Sequence, residues 1–152
     1  MLRRIFPERI DNLYRGHPTA FWLLCVLTFA NSGIALVAIF RPDGGAQSAD
    51  GIPLNTYGVA AAQAVIGVVA FLGLAKLMMD LLFVLALVRY RALVPMMYLV
   101  LVVDFVAHRG IGLMKPILRD AGHPGGYVTW VLFGLSAVGL VLSVSGKRYE
   151  EI

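Results

Sequence analysis

The stretch YGVAAAQAVIGVVAFLGLAKLMMDLLFVLALV, residues 57–88, decides the fold: across 32 positions it carries only three strongly polar side chains, Gln63, Lys76 and Asp80. About 20 consecutive apolar residues suffice to cross a bilayer core as an α-helix, so this run predicts a membrane span longer than a perpendicular crossing needs. Cutting it at Lys76 would leave residues 77–88, too short to cross alone. The expectation is one long helix, tilted or protruding, with Gly67 and Gly73 as bend points. Lys76 and Asp80 stand four residues apart and therefore share a helical face inside the span.

Three further spans flank it. Residues 20–40 are interrupted only by Thr28, Asn31 and Ser32, residues 92–114 by Asp104, His108 and Arg109, and residues 126–145 form the last. The predicted fold class is all-α: an integral membrane four-helix bundle of up-down topology, preceded by a short N-terminal amphipathic segment and followed by a tail at residues 147–152. Composition agrees. The chain is 59% hydrophobic and 14% charged, an excess of apolar surface that needs lipid rather than a larger core. A net charge of +4 does not point to nucleic acid, because the basic residues are scattered between spans and form no patch.

The basic residues carry topology instead. Arg3, Arg4, Arg9, Arg15, Arg89, Arg91, Lys147 and Arg148 fall on one side, against Arg41, Lys115 and Arg119 on the other. Positive charge is retained on the cytoplasmic side, so both termini are expected there. Within residues 1–18, Phe6, Ile10, Leu13 and Tyr14 recur at helical spacing among arginines. The spacing fits an interfacial amphipathic helix; a basic arm without regular structure is the alternative. A cleavable signal peptide is the less expected reading, since the basic lead is long and the following apolar run exceeds the usual length.

The connecting segments are short. Residues 41–56 hold Pro42, Gly44, Gly45, Gly51, Pro53 and Asn55 and read as a surface loop, as do residues 115–125, and neither is expected to form a domain outside the membrane. Trp22 and Trp130 read as interface anchors. Cys25 is the only cysteine, which excludes an intramolecular disulfide, a redox Cys-x-x-Cys pair and a thiolate-rich metal site; it reads as a small packing residue. Phosphate-binding, nucleophile-elbow and His-Glu-x-x-His motifs are all missing from the sequence.

Depth counting singles out one constellation. Lys76 lies 13 residues before Arg89 and Asp104 lies 13 after Arg91, so an antiparallel hairpin brings them to one level, about 20 Å from the turn. A Lys76–Asp104 contact buried between the helices, with Asp80 one turn nearer the turn, is the expectation. Asn31 and Ser32 lie at comparable depth on the first span, and Thr129, Ser136 and Ser143 repeat every seven residues on the fourth with Gly139 among them. Four such stripes turned inward would give the bundle a polar centre. Asp104 and His108 are one turn apart, yet a single well-placed histidine argues against a metal. The candidate ligand-binding or proton-relay residues are thus Lys76, Asp80, Asp104, His108, Asn31, Ser32 and Ser136, with no catalytic residue, metal or cofactor expected. Two readings of the group stand side by side. One is structural charge pairing; the other is the rule that ionisable residues within spans mark pathways or ligand sites.

The run Tyr90-Arg91-Ala92-Leu93-Val94-Pro95-Met96-Met97-Tyr98-Leu99, with Lys115-Pro116-Ile117 and Pro124-Gly125-Gly126-Tyr127, resembles small bacterial four-helix membrane proteins of the DoxX-like group. The resemblance covers chiefly the second half of the chain. It implies a compact bundle in a bacterial cytoplasmic membrane, sometimes associated with respiratory or redox proteins, and supplies no catalytic residues. The expected function is a binding or accessory role, holding a lipid-like or quinone-like molecule, or a partner, beside Lys76, Asp80 and Asp104. A proton-coupled solute transporter acting as a homodimer through the small face at Gly58, Ala60, Ala62 and Ala64 is the alternative, and a membrane enzyme acting on a lipid is third. Expected partners are membrane lipids, a hydrophobic small molecule, a second copy or a membrane complex.

Overall fold

A computed structural model describes residues 5–7, 10–120 and 124–145. It contains four long helices, α1 (Pro18–Phe40), α2 (Val59–Val88), α3 (Val94–Met114) and α4 (Gly125–Val144), with 3₁₀ turns at Leu54–Thr56 and Arg91–Leu93 and no strand among the described residues. All four are long and apolar enough to cross a membrane, and together they form an up-down bundle, the architecture of a multi-pass membrane protein. The long second span is one helix of 30 residues, about 45 Å at its ordinary rise. The bundle has a turn end, beside residues 89–91, and a loop end, beside residues 41–58.

Local chemistry sets the helix boundaries. Pro18 opens α1, where its missing N–H costs nothing, and the His17 ring accepts from the Thr19 N–H at 3.3 Å. His17 is thus the cap of α1, and its backbone N–H donates to the Leu142 carbonyl. Pro95 similarly sits in the first turn of α3.

Packing is uneven around the ring. α1 lies closely along α2, α4 along both α1 and α3, whereas the consecutive pair α2 and α3 shares only a thin contact. At Gly73 α1 and α2 approach closely. A Cβ there would stand 2.7 Å from Ala38 Cβ and 2.9 Å from the Ala35 carbonyl oxygen, so the residue expected as a bend serves a helix crossing. At the turn end Ala20, Leu24, Leu27, Phe83, Ala86, Leu87, Val94, Met97 and Tyr98 form one buried cluster. Tyr98 ties three helices together: its ring fills the space over Gly139, where a Cβ would overlap it, and its hydroxyl donates to the Ala20 carbonyl at 2.6 Å.

The N-terminal segment differs from the helical expectation. Residues 10–17 are irregular, and residues 1–4 and 8–9, like the tail, lie outside the described residues. The Asp11 carboxylate accepts from the Leu13 N–H at 3.1 Å, a local turn that competes with helix, and Arg15 at 2.7 Å holds that carboxyl below its ordinary range. Two backbone bonds strap the segment across the turn end, Ala92 N–H to Asp11 and His17 N–H to Leu142. Tyr14 packs against the buried cluster, and burial pushes its phenol up to about 12.

The loop at the other end is more folded than its composition suggests. Gly44, Gly45 and Gly51 take φ of 60°, 80° and 69°, values that glycine adopts without strain. They turn Ala46, Ile52 and Leu54 down onto Ala62, Val65, Ile66 and Val69 of α2, making a second small core. Asp43 organises it, accepting from the N–H groups of Gly45 at 3.1 Å and Ser48 at 2.9 Å with Arg41 at 3.2 Å. Burial raises its pKa, but these partners outweigh burial and bring it down to about 2.

Candidate functional site

Two stripes of side chains frame the site. On α2, Val65, Val69, Gly73, Lys76, Asp80, Phe83 and Leu87 follow one another at intervals of three or four residues, the spacing of a face turned to neighbouring helices. On α3, Val94, Met97, Leu101, Asp104 and His108 do the same. Both stripes are buried near the turn. Farther out the character changes together on both helices: Lys76 and Asp104 have side chains 40% and 48% exposed, and His108 is 70% exposed. The seam between α2 and α3 is therefore open at the level of Lys76 and Asp104, and beyond it the α3 stripe stays uncovered while Gly73, Val69 and Val65 of α2 lie against α1 and the loop core.

Depth counting placed Lys76 and Asp104 at one level, and the structure brings them to 4.0 Å, the outer limit of an ion pair. The expectation of a buried pair is corrected. Both side chains are about half exposed, because α2 and α3 meet too thinly here to cover them. The buried carboxylate is Asp80 instead, 3% exposed and accepting from the Ser32 hydroxyl of α1 at 3.0 Å. His108 Nδ1 lies 3.2 Å from Asp104 Oδ1 and 3.0 Å from the Asp104 carbonyl, so a protonated Nδ1 donates to both. The four groups thus run from rim to floor: His108, Asp104, Lys76 and, one turn deeper on the same stripe, Asp80 held by Ser32.

Two sequence candidates do not join them. Asn31 is buried, but its amide donates to Leu27 in its own helix at 3.0 Å, and Ser136 likewise donates to Leu132 at 2.7 Å. Thr129 and Ser143 also bond within α4. The heptad stripe of α4 accordingly gives close packing, with Gly139 against Tyr98, rather than polar groups to the centre. Arg109 lies apart from the seam, its guanidinium 5.8 Å from the centre of Trp130, next to the Phe105–Phe133 stack at 4.1 Å that joins α3 to α4. Among the described residues no three His, Cys, Asp or Glu side chains group as a metal site.

Sequence reasoning missed Tyr98, although a tyrosine inside an apolar span signals a hydroxyl that must find a partner on another helix. It also left the open side of the bundle unassigned. The stripe spacing gave a usable signal there, since the line that is apolar at Val94, Met97 and Leu101 becomes ionisable at Asp104 and His108. No protein-family model matches the chain, and neither a curated protein nor a solved structure matches it.

Proposed function

We propose that this protein is an intramembrane binding protein whose open α2–α3 seam holds a hydrophobic molecule with a polar head, lipid-like or quinone-like, at Lys76 and Asp104. The observation that carries the reading is the exposure of Lys76, which lies on the stripe of α2 that is otherwise turned inward and yet remains 40% exposed opposite Asp104. Charges at membrane depth are costly in hydrocarbon and call for a polar cover. A ligand head that accepts from the Lys76 ammonium and, through a hydroxyl where it carries one, donates to Asp104, with its tail along the apolar flank of α2, supplies that cover. The role is accessory rather than catalytic, serving a membrane complex that uses the bound molecule.

Localisation to a bacterial cytoplasmic membrane with both termini cytoplasmic belongs to the same proposal and is supported by the eight-to-three distribution of loop charges. Kinship with the DoxX-like group rests on the motifs in residues 90–99, 115–117 and 124–127. A second copy docking through α2 is a weaker reading, because Ala62 of the small-residue face is already covered by the loop core while Gly58, Ala60 and Ala64 stand exposed.

Binding of decylubiquinone and of phosphatidylglycerol to the protein in phosphatidylcholine nanodiscs tests the reading. Hydrogen bonds to charged groups are worth about 1.5–3 kcal/mol, so Lys76→Met and Asp104→Asn should each weaken binding of one probe by about tenfold or more, with Trp22→Phe unchanged. Equal binding by wild type and both seam variants would overturn it.

A further inference from the structure

Asp80 poses a charge problem that the seam alone does not solve. It is 3% exposed, and the Ser32 hydroxyl is its single hydrogen-bond donor among the described residues. Counted from Arg89, nine residues away, it lies about 14 Å from the turn, close to the middle of a membrane core of about 30 Å. A carboxylate there requires a cation or a proton. The only cation on its stripe is Lys76, one turn away, and Lys76 already lies 4.0 Å from Asp104.

The neighbouring helices do not settle the balance. α1 offers Ser32, Asn31 and Thr28, none of which ionises at ordinary pH, with Cys25 two turns nearer the turn end. α3 offers Asp104 and His108 on the loop side and Tyr98 on the turn side, the last bonded to Ala20; Arg109 is turned to Trp130. α4 contributes Ser136, and its one ionisable side chain, Tyr127, stands in its first turn at the loop end. One ammonium stands between two carboxylates.

We propose that Asp80 is an intramembrane proton-binding site that exchanges its proton with the loop-side compartment through Asp104 and His108, while Lys76 passes between the two carboxylates. In the proton-loaded state Asp80 is a neutral carboxyl and the Lys76 ammonium pairs with Asp104, across the 4.0 Å contact seen in the structure. On release the proton leaves along the exposed Asp104–His108 edge to water, Asp80 is left as the carboxylate, and the ammonium turns to it while Asp104 keeps His108 at 3.2 Å. Access is one-sided. Toward the turn end Leu24, Leu27, Phe83 and Tyr98, none more than 1% exposed, close the path with packed apolar groups. A ligand head that occupies Lys76 would favour the proton on Asp80; this linkage rests on the binding function proposed above, whereas the proton site does not.

Infrared difference spectroscopy of the protein in oriented liposomes, with sidedness read from labelling of Ser48→Cys, tests the site. At neutral pH a protonated-carboxyl band is expected that vanishes in Asp80→Asn, persists in Asp104→Asn and responds to buffer changes on the loop side alone. Lys76→Met should keep the band at pH values where the wild type has lost it. Should Asp80→Asn not fold, Ser32→Ala reads the same group, since removing the hydroxyl must displace the band. The proposal falls if wild type lacks the band, if the band follows Asp104, or if turn-side buffer titrates it. An intact band with no binding of decylubiquinone or phosphatidylglycerol would leave the proton site standing and remove only the ligand reading.

Discussion

The two ends of the bundle use the same helices in opposite ways. At the turn end, large apolar side chains from α1, α2 and α3 interlock around Phe83 and Tyr98, and the N-terminal strap closes over them. Toward the loop end α2 is covered by its own folded loop, while α3 from Val103 onward is almost wholly exposed within the chain. Between the two lies the polar level of Ser32, Lys76, Asp80 and Asp104. The difference teaches that Lys76, Asp104 and His108 sit where packing gives out, with Asp80 just inside the packed half. One half supplies rigidity; the other supplies access.

The comparison breaks most readily in the packed half. Phe83→Ala leaves a cavity at the meeting point of three helices and should cost about 3 kcal/mol, whereas Leu113→Ala on the exposed part of α3 should stay within about 0.5 kcal/mol. Reversible unfolding in mixed micelles measures both, and similar losses at the two sites would mean that the loop half is as tightly packed as the turn half.

A double-mutant cycle on Lys76→Met and Asp104→Leu sharpens the middle level. A half-exposed pair covered by water or a polar head should couple by no more than about 1 kcal/mol. Coupling of about 3 kcal/mol or more would instead describe a dry, buried pair, close the seam and remove the reason for a ligand there.

The smallest effect concerns the loop core. Because Asp43 is held at about 2, below its ordinary 3.8, its contribution is complete above the unfolded value and is lost as pH falls from about 4 to about 2. Amide exchange at Gly45 and Ser48 should therefore stay protected down to about pH 4 and open below it, while Asp43→Ala should open both amides at neutral pH without changing those around Phe83. Protection that ignores pH through that window would separate the loop core from Asp43.

Much of this arrangement was written in the sequence. The four spans follow from apolar length alone, since a backbone in lipid must satisfy its own hydrogen bonds and helices do so. The Lys76–Asp104 level followed as well, because the rise per residue is constant on both arms of a hairpin. What only the tertiary structure decided is how the helices are rotated and how closely they approach. Gly73 draws α1 against α2, Gly139 admits the Tyr98 ring, and the space left over is an α2–α3 seam that leaves Lys76 and Asp104 half exposed while Ser32 reaches Asp80. Apolar helices in lipid carry little azimuthal preference, as every face is equally content with acyl chains. Rotation is therefore set by a few small residues and cross-helix bonds between segments far apart in the chain, and those become visible only when all four helices are packed together.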